Sequence, residues 1–232
     1  MQALILAGGF GTRLAATVPG VPKPMAPVCG RPFLELLLNA LHGKGVRRAV
    51  LSLGYRAETI VQHFGDRYRG MALLHEVETT PLGTGGAIRQ GLARCTAEAV
   101  LVVNGDTLLD LELDAVAALW AAHREPIIAA CHVDDSARYG RLSVQDGRLT
   151  GFAEKGGGGP GWINSGHYLL PRNLFDGADL PPTFSFEGDF LAPRLPALAV
   201  RVFESRGDFI DIGVPQDYAL AQTQLVRWAG AA

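Results

Sequence analysis

The sequence predicts a single α/β domain on a mostly parallel central sheet, with a small antiparallel element in its second half. Three observations lead there. Short apolar runs alternate with stretches of helical periodicity from residue 3 to residue 133, the pattern of strands joined by crossover helices. The first run, residues 3–7, passes directly into Gly8, Gly9 and Gly11, so a loop of nearly bare backbone stands at the end of a buried strand. Further on, Asp146 and Gly147 separate two alternating runs, the signal of a tight hairpin.

Taken in order, residues 3–7 read as a buried strand and 33–42 as a helix ended near Gly43 and Gly45. Residues 49–53 form the next strand, 57–64 a helix closed by Gly65, 72–75 a third strand and 84–93 a helix. The continuous Val and Leu run at 100–103 suits a central strand. A helix at 113–123 and a strand at 127–133 follow. Residues 141–144 and 149–153 make the hairpin, 163–170 another strand, and 184–191 the start of a helix. Residues 200–203 read as an edge strand, and 209–218 as a short strand carrying Asp211 before a helix that runs towards Trp228. The alternation is Rossmann-like, and ligands of such sheets gather beyond the carboxyl ends of the strands.

Composition bounds the partners. A chain of 232 residues fits one domain with a substantial core. A net charge of −2 gives no reason to expect nucleic acid or a membrane surface as partner. Cys29, Cys95 and Cys131 are far apart and form no metal-binding pair, which suits a reducing, cytoplasmic setting. No apolar run approaches the ~20 residues of a membrane span, and the start of the chain lacks the pattern of a leader peptide.

The glycine loop is the densest signal. Gly8, Gly9 and Gly11 are followed by Arg13 and by Lys23 between Pro22 and Pro24. Backbone N–H groups facing one way favour an anion, and two cations on the same rim point to a triphosphate cradle. No Gly-Lys-Ser/Thr string occurs, so this is not a P-loop. Leu14 stands where a dinucleotide fingerprint needs its third glycine, which removes a dehydrogenase from consideration. Residues 79–92 (TTPLGTGGAIRQGL) divide evenly between a ligand-contacting loop and a helix start capped by Thr84. Asp106, after Asn104 and Gly105 at a strand's carboxyl end, is placed for a magnesium ligand, though an Asx-turn is commoner for such a residue alone. Asp110 reads as a cap for the following helix. Glu154 and Lys155 could take sugar hydroxyls and a phosphate, against the commoner fate of an exposed pair. Glu187 could reach a sugar, with helix-dipole pairing the commoner role. Asp211 lies between Ile210 and Ile212 and requires a cation.

LAGGFGTRL, PKPM, GRPFLELLL, PLGTGGA, the NGD and DIG strings and the EK pair together resemble the sugar-phosphate nucleotidylyltransferases, from residue 1 to about 225 of the 232. The resemblance implies a GT-A-like nucleotidyltransferase fold and the joining of a nucleoside triphosphate to a sugar 1-phosphate, with release of pyrophosphate and Mg²⁺ as cofactor. Residues 1–110 would form mainly the nucleotide-binding half, and 111–232 mainly the sugar-phosphate-binding half. Arg13, Lys23 and Asp106 would be catalytic, and Asp106 and Asp211 would hold the metal. Leu6, Ala7, Gly8, Gly9, Gly11, Thr12, Glu78, Pro81, Gly83, Thr84, Gly85, Gly86, Asn104 and Gly105 would surround the nucleotide. Gly140, Glu154, Lys155, Asn164, Ser165, Gly166 and Glu187 would surround the sugar phosphate. The chain departs from the family pattern at Gly156, often proline, and at Phe209 and Val214, often Trp and Thr. PKPMAPV, LGTGGA and SFEGDFL are most similar to the branch that guanylylates D-glycero-α-D-manno-heptose 1-phosphate for surface polysaccharides. Guanylylation of mannose 1-phosphate and thymidylyl or uridylyl transfer to glucose 1-phosphate are the neighbouring alternatives. A non-catalytic nucleotide-sugar sensor would be expected to have lost some of the charged residues retained here. The resemblance also implies small-molecule substrates and a homodimer, and no hexapeptide repeat for a fused acyltransferase domain follows.

Overall fold

The structure is a computed structural model that describes residues 1–11, 13–14, 16–152 and 158–229. In chain order the strands are β1 (Gln2–Ala7), β2 (Pro27–Val28), β3 (Arg31–Pro32), β4 (Arg48–Leu53), β5 (Arg67–Tyr68), β6 (Met71–Val77), β7 (Ala99–Asn104), β8 (Thr107–Leu109), β9 (Ile127–Val133), β10 (Leu142–Gln145), β11 (Arg148–Phe152), β12 (Gly161–Pro171), β13 (Arg201–Ser205) and β14 (Phe209–Asp211). The helices are α1 (Phe33–Gly43), α2 (Ala57–Phe64), α3 (Gly83–Ala93), α4 (Leu113–His123), α5 (Ala192–Arg194), α6 (Pro215–Gln224) and α7 (Val226–Ala229), with a 3₁₀ turn at Lys23–Met25 and a π-helical turn at Phe186–Leu191.

Ten strands form one mixed sheet in the order β10-β11-β13-β9-β12-β7-β1-β4-β6-β5. Strands β7, β1, β4 and β6 are mutually parallel, in register Leu6 to Asn104 and Ala7 to Leu53. The side chains of β1, β4 and β7 are buried on both faces, which explains their largely apolar sequences, whereas β6, nearer the sheet edge, is partly exposed and carries His75 and Glu76. Their carboxyl ends therefore meet at one edge, where Gly8, Gly54, Glu78 and Gly105 emerge together. Strand β12 reverses direction between β7 and β9.

Helices α1, α2 and α4 cover one face, with Leu34, Leu38, Ile60, Phe64, Val116 and Trp120 packed on it. Helix α3 and an aromatic cluster of Phe175, Phe184, Phe186 and Phe190 cover the other. Helix α1 is buried nearly all round, because Phe33, Leu36 and Ala40 also pack against Leu108, Ile210, Ile212 and the C-terminal helices. Among the described residues no helix is long and apolar enough to cross a membrane.

The hairpin turns at Asp146 and Gly147, both with positive φ (51° and 70°), the geometry of a type I′ turn. It is not a separate element, since it continues the large sheet through β13. This corrects the edge assignment of residues 200–203. Strand β13 is interior, parallel to β9 on one side, while Leu149 N–H and Val202 N–H bond Val200 and Gly147 carbonyls on the other. The expected helix at 184–191 is a π-helical turn that runs into a single short turn, α5. The wider turn lets both Phe186 and Phe190 face the core, stacked at 5.9 Å.

Gly91, in α3, faces the fully buried Leu4, and a Cβ there would lie 2.3 Å from Leu4 Cδ1. Gly91→Ala is therefore expected to destabilise the fold by about 1–3 kcal/mol in urea unfolding, even though alanine favours helix by ~1 kcal/mol.

Candidate active site

Two cavities open at the carboxyl edge of the parallel strands. The first, about 400 Å³, is lined by Leu6, Ala7, Gly8, Gly9, Gly11, Arg13, Lys23, Glu78, Pro81, Gly83, Thr84, Asn104, Gly105 and Asp106, with Phe10, Pro24, Ser52, Ala87 and Gly213. The second, about 800 Å³, is lined by Arg138, Tyr139, Gly140, Asn164, Ser185, Glu187, Gly188, Ala192, Asp211 and Val214 among others. Arg13 lines both.

Asp106 and Asp211 are brought together by a short ladder between remote segments of the chain. Strand β8 pairs antiparallel with β14, setting Thr107 opposite Asp211, and Ile212 N–H bonds the Asp106 carbonyl at 3.0 Å. Burial, and then the neighbouring Asp106 charge, push the Asp211 carboxyl above its ordinary range, with Lys23 opposing. Lys23, only 9 % exposed, is ion-paired to Asp106 Oδ2. Its placement follows from the 3₁₀ turn and from Gly11, where a Cβ would come within 2.9 Å of Lys23 Cβ. Two neighbouring carboxylates from remote parts of the chain, Asp106 lining the first cavity and Asp211 the second, suit a hard divalent cation. Both donors are carboxylate oxygens, which fit Mg²⁺ better than the sulfur and nitrogen ligands that zinc prefers. His167, buried behind this junction, is lowered to about 4 by burial and stays neutral.

Glu78 forms one wall of the first cavity. Its carboxylate accepts Ser52 Oγ–H at 3.1 Å and Leu82 N–H at 3.1 Å, which fixes its orientation. Gly83, Thr84 and Pro81 line the same wall. Gly85 and Gly86 do not line the cavity. A Cβ at Gly85 would lie 2.2 Å from the Phe184 ring, and one at Gly86 2.5 Å from the Pro182 carbonyl oxygen. Their bare faces are taken by residues 182–184.

In the second cavity the register of β12 shifts between Asn164 and His167, with Gly166 at φ +73° against Asn104. This irregularity turns Asn164 into the cavity, a frequent use of strand bulges beside sites. Ser165 points inward, donating to the Ala129 carbonyl at 2.8 Å, and neither it nor Gly166 lines the cavity. Glu187 does line it. It does not serve only the helix dipole, since Tyr168 and Thr84 bond its carboxylate. Arg138 reaches Asp217 through both terminal nitrogens, at 2.8 and 3.1 Å. Arg138, Asp217, Ser52 and Tyr168 were not identified from sequence, where no local pattern marks them. Asp110 does not cap α4 and instead pairs with Lys44 at 2.7 Å. Thr12, Glu154 and Lys155 lie outside the described residues.

A family model described as nucleotidyl transferase matches residues 2–227. The chain is 38 % identical to D-glycero-alpha-D-manno-heptose 1-phosphate guanylyltransferase of Aneurinibacillus thermoaerophilus, over 98 % of this chain and 100 % of that one. It is 39 % identical to the Campylobacter jejuni protein of the same name, over 94 % and 97 %. Crystal structures of HddC from Yersinia pseudotuberculosis, alone and complexed with GMP-PN, superpose with TM-scores of 0.86 and 0.85 at 37 % identity, covering 95 % of this chain and 97 % of that one.

A carboxyl whose pKa rises on folding opposes folding once pH exceeds the ordinary Asp range, and does not oppose it below that range. Asp211→Asn is thus expected to raise Tm of the metal-free protein by about 2–4 °C at neutral pH. The gain should vanish in acid, as calorimetry across pH would show.

Proposed function

The chain belongs to the nucleotidyl transferase family, and on that premise we propose that it joins GTP to D-glycero-α-D-manno-heptose 1-phosphate, releasing pyrophosphate and a GDP-heptose for surface polysaccharide synthesis. The observation that carries this reading is the pair of cavities that share Arg13 and meet at Asp106 and Asp211. One is walled by backbone and glycine loop, as a triphosphate requires, and the other by polar side chains, as a sugar requires. The named activity of the two relatives, each matched over nearly its whole length, supports the choice of nucleotide and sugar. Glu78 supports guanine on chemical grounds. A fixed carboxylate is an acceptor pair, and the guanine edge offers N1–H together with the N2 amino group, a donor that uracil and thymine lack.

The chemistry asks little covalent work of the protein. The sugar 1-phosphate is already an anion and needs no base. Its phosphate oxygen forms a bond to the α-phosphorus of the nucleotide as the bond from that phosphorus to the bridging α,β oxygen breaks, and pyrophosphate leaves with the electron pair. The obstacle is bringing two polyanions together, each charge pair ~4 Å apart repelling by roughly 4 kcal/mol at an effective dielectric of 20. Arg13, shared by both cavities, and Lys23 offset that repulsion. Lys23 leaves Asp106 for a phosphate oxygen as substrate binds. Asp106 and Asp211 are the residues that would hold Mg²⁺, which when bound neutralises phosphate charge and polarises the phosphorus. A triphosphate substrate and three free cysteines support a cytoplasmic setting, and the homodimer that the resemblance implies can be tested by light scattering.

Pyrophosphate release should be measured with GTP, ATP, CTP, UTP and dTTP against heptose, mannose and glucose 1-phosphates. The expected result is turnover with GTP and the heptose phosphate, abolished by a chelator and restored by Mg²⁺. Preference for mannose or glucose 1-phosphate would replace the sugar assignment, and no pyrophosphate from any pair would overturn the reading. Lys23→Ala and Asp106→Ala are each expected to lower kcat by about 10²-fold or more while circular dichroism stays unchanged. Near-full rate in either would remove that residue from the site. A chiral α-phosphorothioate nucleotide should react with inversion, and retention would require a covalent intermediate.

A further inference from the structure

Beneath the second cavity lies a phenol that lines neither cavity. Tyr168, on β12, is 2 % exposed, and its ring stands edge-on to Phe186 at 5.2 Å. Its hydroxyl donates to Glu187 Oε1 at 2.5 Å and accepts from Asn164 Nδ2 at 2.7 Å. Asn164 Nδ2 also approaches the same Glu187 oxygen at 3.5 Å, while Thr84 Oγ1–H donates to Oε2 at 3.4 Å. Thr84 in turn accepts Phe186 N–H at 2.8 Å, so the carboxylate is held from three directions.

The arrangement is asymmetric in a useful way. Glu187 and Asn164 face the second cavity, Thr84 faces the first, and Tyr168 is behind them in the aromatic core. Burial and the adjacent Glu187 charge raise the Tyr168 hydroxyl well above its usual range, so it remains a donor at every working pH. A glutamate side chain left free would have to lose the freedom of three torsions on meeting a ligand. One whose oxygen is already fixed by a charge-assisted hydrogen bond does not.

We propose that Tyr168 is a positioning residue, which fixes the Glu187 carboxylate to accept hydroxyl groups of the sugar 1-phosphate. This rests on the function proposed above. It differs from a purely structural role, in which the hydroxyl bonds Glu187 only to satisfy its own burial. That role would lower stability and leave substrate affinity alone.

The test is steady-state kinetics of the full chain, with GTP and the sugar 1-phosphate that the wild type turns over, on Tyr168→Phe, Glu187→Ala and the double variant. Tyr168→Phe keeps the ring and is expected to raise KM for the sugar phosphate about tenfold, with KM for GTP within about twofold of wild type. Because Tyr168 acts through Glu187, the double variant should match Glu187→Ala alone, which removes the oxygen that Tyr168 bonds. An unchanged sugar KM in folded Tyr168→Phe, or additive losses in the double variant, would overturn the inference. Glu187→Asp keeps the charge but withdraws it from Tyr168 by one methylene. It should raise the same KM, and a wild-type value there would also overturn the inference, even if Tyr168→Phe failed to fold. A wild type that turns over no sugar phosphate would instead sink the functional reading, and this inference with it.

Discussion

The structure depends on the meeting of Asp106 and Asp211 beside Lys23. Two carboxylates held close in a half-buried site repel, and the raised pKa of Asp211 reflects that cost together with its burial. The short β8–β14 ladder imposes the contact, and the cluster of Phe33, Leu108, Ile210 and Ile212 behind it supplies the apolar packing that holds it in place. Lys23 relieves part of the repulsion through its ion pair with Asp106. A site built this way is stabilised further by anything that brings compensating positive charge.

The large sheet divides the labour around that point. Its parallel strands end in backbone: a Cβ at Gly54 would sit 2.5 Å from the Gly8 carbonyl oxygen, and one at Gly105 2.8 Å from the Leu6 carbonyl oxygen. That wall presents backbone and little bulk. The reversed strand β12 contributes side chains instead, through the irregularity that turns out Asn164. Arg13 stands where the two surfaces join. The mixed sheet therefore yields one cavity rich in glycine backbone and a second built largely from side chains.

Glycines that look alike in sequence do different things. Gly8, Gly9 and Gly11 line the first cavity, whereas Gly85 and Gly86 make room for Phe184 and Pro182. From the string PLGTGGA the two uses could not be separated, because a missing Cβ reads the same whether a ligand or a phenyl ring fills the space. The Phe184 segment lies some hundred residues away in the chain, and only its packing on α3 decides the matter.

What the sequence determined by itself was whatever local periodicity and local chemistry encode. The helix bounds of α2 and α4 and the strand bounds of β9 agree with the pattern of apolar residues. The glycine loop with its Arg and Lys and the Asp-Gly hairpin were legible, because each is a property of a few neighbouring residues. Tertiary structure alone decided that β13 lies inside the sheet, since a half-buried strand does not record which neighbours cover its edges. It alone joined Asp106 to Asp211, aimed Asn164 through a strand irregularity, and set Tyr168 under Glu187. Those relations connect distant segments through packing and backbone hydrogen bonds, and no short stretch of sequence contains them.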